Sequence, residues 1–325
     1  MKNKKTRILI MILVAAAAAA AVLFMSFSSG TKKYRMIFIP KIIDESNDFW
    51  KSLIAGAQMG AKEYDVDLTI EAGPDEEDWA SQNALIEKAI EEKPDALLVA
   101  PCSYTETTDL LEKAKNAGIK VVLIDSIVDR DVQDAIVATN NVEAGKLLGE
   151  YAAGLLTDDA KIALVEHVKG ASTAIDREKG VREGLGSKAD NITDIEYSGS
   201  SADKAYSLTM DLLAKYPDLS MIIGLNEPSA VGAAKAIRTA GKTGAVKIVG
   251  FDSSLEEIRM MEEGVFSGIV IQKPYNMGYL GIQQAWNLLH HGTVTANLES
   301  GSKLVTVDNL YSEENQKLLF PFTEN

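Results

Sequence analysis

Cysteine and histidine are scarce in this chain. One cysteine, Cys102, and three histidines occur among 325 residues. A single thiol cannot form a disulfide within the chain, and so few soft ligands disfavour a transition-metal site. His167 follows Glu166 at the end of an apolar run and is interpreted as a strand-end residue, because no metal-binding companions accompany it. No cofactor and no metal are expected.

Phosphate-binding loops and catalytic sets are also missing. The segment from Gly224 to Gly232 has the layout of a strand-to-helix turn, but Asn226, Glu227 and Pro228 lie between its glycines. This is not the compact glycine pattern that cradles a phosphate. A nucleophile, a base and an orienting group do not occur in a recognisable combination. The sequence therefore disfavours an enzyme.

Basic residues are outnumbered by acidic ones. The chain has 33 Lys and Arg against 47 Asp and Glu, for a net charge of −14. Nucleic-acid phosphates need a basic surface, so this balance excludes a nucleic-acid-binding protein. Apolar residues, in contrast, make up 46% of the 325 residues. A chain of this length and composition can bury a large core and favours two lobes over one.

The first 30 residues differ from the rest. Basic residues at positions 2, 4, 5 and 7 precede an apolar run from Ile8 to Met25, and a short polar stretch follows. This layout is typical of a secretory signal peptide. Because about 20 helical residues span a bilayer, an uncleaved membrane anchor is the alternative. Either one directs the following residues out of the cytoplasm, to the cell envelope, and takes the place that a DNA-binding helix-turn-helix would need.

Strand-like and helix-like patterns alternate through the remainder. Strands are predicted near residues 34–40, 66–71, 95–100, 120–125, 135–139, 160–166, 192–197, 220–225, 246–251 and 266–271. Helices are predicted between them, with stops at Gly118, Pro217 and Gly241. The apolar runs are continuous rather than alternating, which indicates parallel sheets covered on both faces. The predicted fold is α/β, with two doubly wound parallel-sheet lobes joined by a hinge.

Polar side chains follow several of these predicted strands. Asp125, Asn226, Asp252 and Gln272 each end an apolar run, and residues 47–50 come shortly after the first run. In open α/β sheets, ligands bind in the crevice outside the carboxyl ends of the strands. The sequence therefore predicts one shared site for a small polar molecule.

Seven short motifs occur in a characteristic order. They are Asn-Asp-Phe-Trp at 47–50, Leu-Ile-Asp at 123–125, Thr-Asn-Asn at 139–141 before Ala144 and Gly145, Arg-Glu-Lys-Gly at 177–180, Asn-Glu at 226–227 before Ala230 and Gly232, Val-Gly-Phe-Asp at 249–252, and Gln272. Through these motifs, residues 34–310 resemble the periplasmic sugar-binding proteins of the ribose-binding type. That family shares its type I periplasmic binding fold with the ligand-binding part of the lactose-repressor family.

The resemblance implies an extracytoplasmic solute-binding protein that captures a sugar or sugar-like ligand between its lobes. Such a protein delivers the ligand to the membrane permease of an ABC transporter, and a monomer is expected. The alternative is a membrane-anchored sensory receptor that signals to a histidine kinase or chemoreceptor. The implied lobes are residues 34–138 with 273–298 and residues 139–272 with 299–325.

The resemblance also implies roles for individual residues. The ligand-binding residues that it implies are Asn47, Phe49, Trp50, Asp125, Arg177, Asn226, Asp252 and Gln272. Carboxylates and amides can hold two neighbouring hydroxyls of a sugar, and aromatic rings can cover its apolar faces.

Six of these residues also have an alternative role. Asp125, Asn226 and Asp252 would serve as helix caps. Phe49 and Trp50 would pack at a helix start. Arg177 would brace its lobe rather than contact the ligand.

Two positions depart from the ribose-type pattern. Ser126 and Ile175 stand where members of that family commonly have arginine. The predicted crevice is rich in acids, with Asp44, Glu45, Asp125, Glu227 and Asp252 assigned near it. With two cations missing among these acids, an amino sugar or another cationic ligand is favoured over a carboxylated sugar.

Overall fold

The computed structural model describes residues 33–319, and strands and helices alternate along them. The predicted signal or anchor segment at residues 1–30 lies outside the described residues. Within residues 33–319 no helix is both long and apolar enough to span a membrane. The strands of this part are β1 (Arg35–Ile39), β2 (Asp67–Ile70), β3 (Ala96–Val99), β4 (Lys120–Ile124), β5 (Ala135–Ala138), β6 (Lys161–Glu166), β7 (Ile192–Tyr197), β8 (Leu219–Gly224), β9 (Lys247–Phe251), β10 (Phe266–Ile271), β11 (Asn297–Glu299) and β12 (Lys303–Thr306).

Helices connect these strands and cover both faces of the sheets. In the described part of the chain they are α1 (Asp48–Glu63), α2 (Trp79–Glu92), α3 (Thr108–Asn116), α4 (Asn141–Gly154), α5 (Ser172–Leu185), α6 (Ala202–Lys215), α7 (Glu227–Thr239), α8 (Leu255–Glu262), α9 (Pro274–Leu289) and α10 (Glu313–Leu319). A 3₁₀ helix, Gly186–Asn191, follows α5.

The strands form two sheets, and each sheet is the centre of one lobe. The first lobe has the strand order β11-β5-β4-β3-β1-β2, and the second has the order β12-β10-β9-β8-β6-β7. The predicted α/β fold with two parallel-sheet lobes is confirmed, and the ten predicted strands are present. One edge differs from the prediction, because β12 pairs antiparallel with β10. Strands β11 and β12 were not predicted, since both are short and each contains polar residues.

The continuous apolar runs exist because both faces of each sheet are buried. In β6, Ala163 and Val165 pack into a core with α6, α7 and α8. The alternate residues Ile162 and Leu164 pack on the opposite face, into a core with α4 and α5. Strand β6 therefore has no solvent side, which is why its sequence does not alternate between apolar and polar residues.

The chain passes between the two sheets three times. It leaves the first sheet after β5, returns after β10, and crosses again between β11 and β12. The Oγ atoms of Thr139 and Ser300 lie 3.3 Å apart, and Asn140 donates from Nδ2 to Glu299 Oε1 at 3.3 Å. These contacts join the first crossing to the third, so the lobes are connected by adjacent strands of chain and not by one long linker.

Helices α1 and α9 pack closely in the first lobe. A Cβ added at Gly278 would lie 1.9 Å from the carbonyl oxygen of Leu53, and one added at Gly56 would lie 2.0 Å from the carbonyl oxygen of Tyr275. Only a residue without a side chain fits at either position, because the backbones themselves are in contact. This contact positions the start of α1, which lines the site described below.

Replacing Gly278 with alanine should push α9 away from α1. Overpacking of a tight contact costs about 1–3 kcal/mol, and chemical denaturation would measure this loss in the free energy of unfolding. Gly154→Ala is the matched control, because a Cβ there meets nothing within 4 Å. Equal stability of the two variants would contradict the close helix contact.

Candidate functional site

A cavity lies between the two lobes, at the carboxyl ends of their strands. The space between its lining atoms is about 310 Å³, part of which is open to solvent. The residues that line it are Lys41, Asn47, Phe49, Trp50, Glu76, Asp125, His167, Thr173, Arg177, Asn226, Glu227, Pro228, Asp252 and Gln272.

The structure brings all eight predicted ligand-binding residues together in this cavity. The acidic surroundings predicted for it are only partly correct. Asp44 and Glu45 do not line the cavity: Glu45 is exposed, and Asp44 Oδ1 accepts a hydrogen bond from the backbone N–H of Ser46 at 2.8 Å. Asp44 instead holds the loop before α1.

The aromatic pair lies at the start of α1. Asn47 caps this helix, since its Oδ1 accepts from the backbone N–H of Trp50 at 3.2 Å. The rings of Phe49 and Trp50 meet edge to face at a centroid distance of 5.1 Å. Trp50 also donates from Nε1 to Glu76 Oε1 at 2.8 Å. The first lobe thus contributes an apolar wall whose polar edge atoms are already paired.

A buried ion pair stands beside these rings. Lys41 Nζ lies 3.0 Å from Asp125 Oδ2, and the two side chains are 3% and 4% exposed. Ser126 donates from Oγ to the same oxygen at 2.8 Å. Lys41 therefore supplies a cation next to Asp125, where the sequence pattern indicated that one was missing. Lys41 was not predicted as a site residue.

Asp125 and Asp252 occupy equivalent positions in the two lobes. Each follows a strand, β4 or β9, and each donates its backbone N–H to the neighbouring strand, to Val137 O at 3.0 Å and to Val270 O at 2.9 Å. Their φ angles are +66° and +80°. Left-handed backbone is uncommon outside glycine but is several-fold enriched in Asp and Asn, and such residues cluster at functional sites. Neither caps the helix that follows it in the chain, since α4 is capped by Asn140 and α8 by Ser254.

Asp252 is held by the second lobe from two sides. Its Oδ1 accepts from Gln272 Nε2 at 2.6 Å, and its Oδ2 accepts from the backbone N–H of Glu227 at 2.9 Å. Helix α8, which follows, is capped by Ser254 instead.

The alternative role as a cap holds for Asn226, whose Oδ1 accepts from the backbone N–H of Ser229 at 3.0 Å. Asn226 both caps α7 and lines the cavity.

Arg177 braces the second lobe and also lines the cavity. It donates from Nε to Asn141 Oδ1 at 2.8 Å and from a terminal nitrogen to the carbonyl oxygen of Leu225 at 2.7 Å. Its guanidinium group lies 4.4 Å from the ring centroid of Phe251. These contacts tie α5 to α4, to the turn after β8 and to β9, as the bracing interpretation expected.

Several hydrogen bonds cross between the lobes around the cavity. The backbone N–H groups of Tyr104 and Ile127 donate to Gly170 O and Ser172 Oγ, each at 3.0 Å. The backbone N–H of Phe49 donates to Glu227 Oε2 at 3.4 Å, and that of Leu255 donates to Asp48 Oδ2 at 3.4 Å. The two lobes therefore stand in a closed arrangement in this structure.

Burial keeps several of the acids in the cavity from ionising at their ordinary pH. It raises the pKa of Glu227 to about 8, assisted by the neighbouring Asp252 and Asp48. Burial also raises the pKa of Asp252 and of Glu76, although nearby Arg177 and Lys41 respectively offset part of the effect. The cavity thus contains two permanent cations but fewer negative charges than its carboxyl groups would suggest.

The site contains five residues that the sequence did not place there: Lys41, Glu76, His167, Thr173 and Pro228. Glu227 was expected near the crevice, but not as a ligand-binding residue. Pro228 follows it directly, so an inspection of the whole strand-to-helix turn would have found Pro228. Within residues 33–319 no group of His, Cys, Asp and Glu side chains is arranged to hold a metal ion.

A polar cavity enclosed between two α/β lobes is the arrangement of a two-lobed ligand-binding protein. Residues 37–293 match the family described as periplasmic binding protein domain. The chain belongs to this family of extracytoplasmic binding proteins. The predicted resemblance is confirmed.

Individual relatives are similar over most of their length. The ribose import binding protein of Bacillus subtilis (strain 168) is 28% identical over 281 residues, which cover 86% of this chain and 90% of that protein. The crystal structure of a sugar transporter from Clostridium phytofermentans is 46% identical, with a TM-score of 0.80, and the match covers 84% of this chain and 99% of that one. An ABC transporter solute-binding protein from Agrobacterium vitis with bound D-fucose is 30% identical, with a TM-score of 0.83, and covers 88% of this chain and 99% of its own.

Replacing Lys41 with methionine should strongly destabilise the protein. Removing one partner of a buried ion pair lowers the free energy of unfolding by about 3–5 kcal/mol, because the remaining charge stays buried without its partner. The double variant Lys41→Met with Asp125→Asn should regain most of this loss. Urea denaturation of the ligand-free variants would measure both effects, and a single variant as stable as the wild type would contradict the pairing.

Stability should fall as the pH rises. Burial raises the pKa of Glu227 from 4.5 to about 8 in the folded state. The protonated side chain therefore contributes fully to the free energy of unfolding below pH 4.5, and this contribution is lost as the pH rises through about 8. The variant Glu227→Gln should show a shallower decline of melting temperature across this range. Identical slopes for wild type and variant would refute the assignment. Glu45→Gln, at an exposed position, is the control.

Proposed function

We propose that this protein binds a neutral sugar in the cavity between its lobes. The observation that carries this proposal is the convergence of Asp125, Asn226, Asp252 and Gln272 with the rings of Phe49 and Trp50 in one buried cavity. Several relatives are named as sugar-binding or sugar-transport proteins, which supports the same class of ligand.

The chemistry of these groups suits hydroxyls. Carboxylate oxygens only accept, amide side chains both donate and accept, and Arg177 and Lys41 only donate. A sugar hydroxyl can satisfy either kind of group, because it donates one hydrogen bond and accepts others. The apolar face of a sugar ring would lie against Phe49 and Trp50. A ligand lacking these hydroxyls would leave buried polar groups unpaired and would bind poorly.

The charge of the cavity supports a neutral ligand rather than an amino sugar. The sequence made an amino sugar conceivable because two cations were missing from the family pattern, and Lys41 beside Asp125 supplies one. Burial raises the pKa of Glu76, Glu227 and Asp252, which lowers the negative charge of the cavity near neutral pH. A fixed positive group on the ligand therefore has no unpaired carboxylate to neutralise.

Ligand binding is proposed to couple to closure of the two lobes about the three crossings. The proposed lobes are residues 34–138 with 273–298 and residues 139–272 with 299–325, which is consistent with the membership of the two sheets. The contributions of Asp125 and Asp252 come from opposite lobes, so neither lobe alone has a complete site. A ligand that contacts both favours the closed form, and contacts across the cleft such as Tyr104 to Gly170 add to it.

The proposed partner of the closed form is the membrane permease of an ABC transporter. Relatives named as import binding proteins and as ABC transporter solute-binding proteins support this partner. A membrane-anchored receptor that signals to a histidine kinase or chemoreceptor is the alternative. Pull-down of membrane proteins with the sugar-loaded protein separates the two: capture of a permease supports transport, and capture of a kinase or chemoreceptor supports sensing.

Calorimetry with a panel of neutral, amino and acidic sugars tests the proposed ligand class. A neutral pentose or hexose should bind most tightly, because the cavity provides paired donors and acceptors without a net charge to match. Tightest binding of an amino sugar would show that the acids of the cavity remain unneutralised. No binding of any sugar would refute the proposed function.

Substitutions at the site should separate binding from folding. Asp252→Ala and Asn226→Ala should abolish measurable affinity for the sugar, a loss of at least about 100-fold, since each removes several buried hydrogen bonds. Arg177→Ala should mainly lower the melting temperature, because its bonds to Asn141 and Leu225 brace the lobe. Glu45→Ala is the control. A folded Arg177→Ala protein that has lost affinity would reverse the assignment of Arg177.

A further inference from the structure

His167 is a buried residue of the cavity that has one polar atom unpaired. It follows β6, is 2% exposed and lies among the lining side chains. Its Nε2 is 2.7 Å from Thr173 Oγ1, which also lines the cavity. Its Nδ1 is buried and has no hydrogen-bond partner within the part of the chain that the structure describes. An unpaired buried polar atom is costly, so a group that is absent from the protein chain is expected to meet it.

The neighbours of His167 decide which nitrogen carries the hydrogen. Lys41 Nζ lies 3.4 Å from Thr173 Oγ1, and an ammonium group can only donate. The Thr173 oxygen therefore accepts from Lys41, and its own hydrogen is available for the 2.7 Å contact with His167 Nε2. We assign this hydrogen to that contact, so that Nε2 accepts and the hydrogen of the neutral ring is on Nδ1.

The ring is neutral because its surroundings oppose a second proton. Burial lowers the pKa of His167 well below its ordinary value, and the cations Arg177 and Lys41 lower it further. In a neutral ring with the hydrogen on Nδ1, this atom can only donate a hydrogen bond. The chain Asp125, Lys41, Thr173 and His167 thus fixes the tautomer by hydrogen bonds that run from one lobe to the other.

We propose that His167 is a ligand-contacting, specificity-determining residue, which donates from Nδ1–H to an oxygen of the bound sugar. This inference rests on the proposed function, since it names a contact within the same cavity. It replaces the interpretation of His167 as a plain strand-end residue. Lys41 and Thr173 act as positioning residues for the ring.

A second unpaired atom complements this donor. Gln272 Oε1 is also buried without a hydrogen-bond partner within residues 33–319, while its Nε2 is held by Asp252. An amide oxygen accepts only, so it calls for a donor on the ligand. The ligand therefore presents one oxygen that accepts from His167 and one hydroxyl that donates to Gln272. This pair is typical of a polyhydroxylated ring, in which oxygens of both roles lie close together.

Two substitutions separate the ligand contact from the contact with Thr173. In His167→Gln, the longer amide reaches the place of Nε2 and can keep the bond to Thr173, but nothing replaces Nδ1–H. In His167→Asn, the shorter amide nitrogen lies near the place of Nδ1 and keeps a donor for the ligand, while the bond to Thr173 is lost. The two variants thus remove opposite halves of the ring's hydrogen bonding.

The affinity of both variants would be measured by calorimetry with the sugar that binds the wild type most tightly. His167→Gln should weaken binding roughly 10- to 100-fold, and His167→Asn should stay within about 5-fold of the wild type. Melting temperatures of the ligand-free proteins identify any variant that fails to fold. Wild-type affinity in a folded His167→Gln protein would overturn the proposal. That is the result expected if an ordered water, and not the sugar, pairs with Nδ1.

Nuclear magnetic resonance of the ¹⁵N-histidine-labelled wild type gives a second readout, which reports the tautomer directly. The chain has three histidines, so the spectrum is simple, and His167 is assigned by its absence from the His167→Gln spectrum. The expected result is an Nδ1–H tautomer whose Nδ1 signal moves when the sugar is added. An Nε2–H tautomer, or an Nδ1 signal that the bound sugar does not move, would overturn the inference. If no sugar binds the wild type at all, the proposed function itself fails.

Discussion

The central constraint on this structure is the burial of ionisable side chains in a single cavity. Lys41, Glu76, Asp125, His167, Arg177, Glu227 and Asp252 all line it, and all are buried. Removing an ion from water costs several kcal/mol even after relaxation, so each charge needs a partner or must be neutralised. The protein uses both solutions. Lys41 pairs with Asp125, Arg177 is held by oxygen acceptors, and burial raises the pKa of Glu227 toward protonation.

The same constraint explains why the site is divided between two lobes. Asp125 and Asp252 stand after equivalent strands with the same left-handed backbone, so each lobe brings one carboxyl group to the cleft. Each group is hydrogen-bonded within its own lobe, Asp125 to Lys41 and Ser126, and Asp252 to Gln272 and the backbone of Glu227. The proposed ligand would connect the two groups, because its hydroxyls can donate and accept. Closure and binding are therefore two aspects of one requirement, the pairing of buried polar groups.

Much of the fold was predictable because its strands are short, continuously apolar and buried on both faces. The site residues at the strand ends were predictable for the same reason, since a polar residue that directly follows such a run stands out.

Lys41 was missed because a lysine near a strand end normally lies on the surface. Glu76 was missed because it lies in a loop after β2, and only folding brings it to Trp50 Nε1. His167 was noticed but weighed as a metal ligand rather than as a hydrogen-bonding group. Strands β11 and β12 were missed because they are short and contain polar residues.

The most direct test of the account is small-angle X-ray scattering of the protein with and without the sugar that calorimetry identifies. The proposed ligand contacts both lobes, so the radius of gyration should fall when the sugar is added at a saturating concentration. The closed arrangement described here should fit the scattering of the loaded protein, and a more open one should fit that of the free protein. A tightly bound sugar that leaves the scattering unchanged would contradict the claim that ligand binding closes the two lobes.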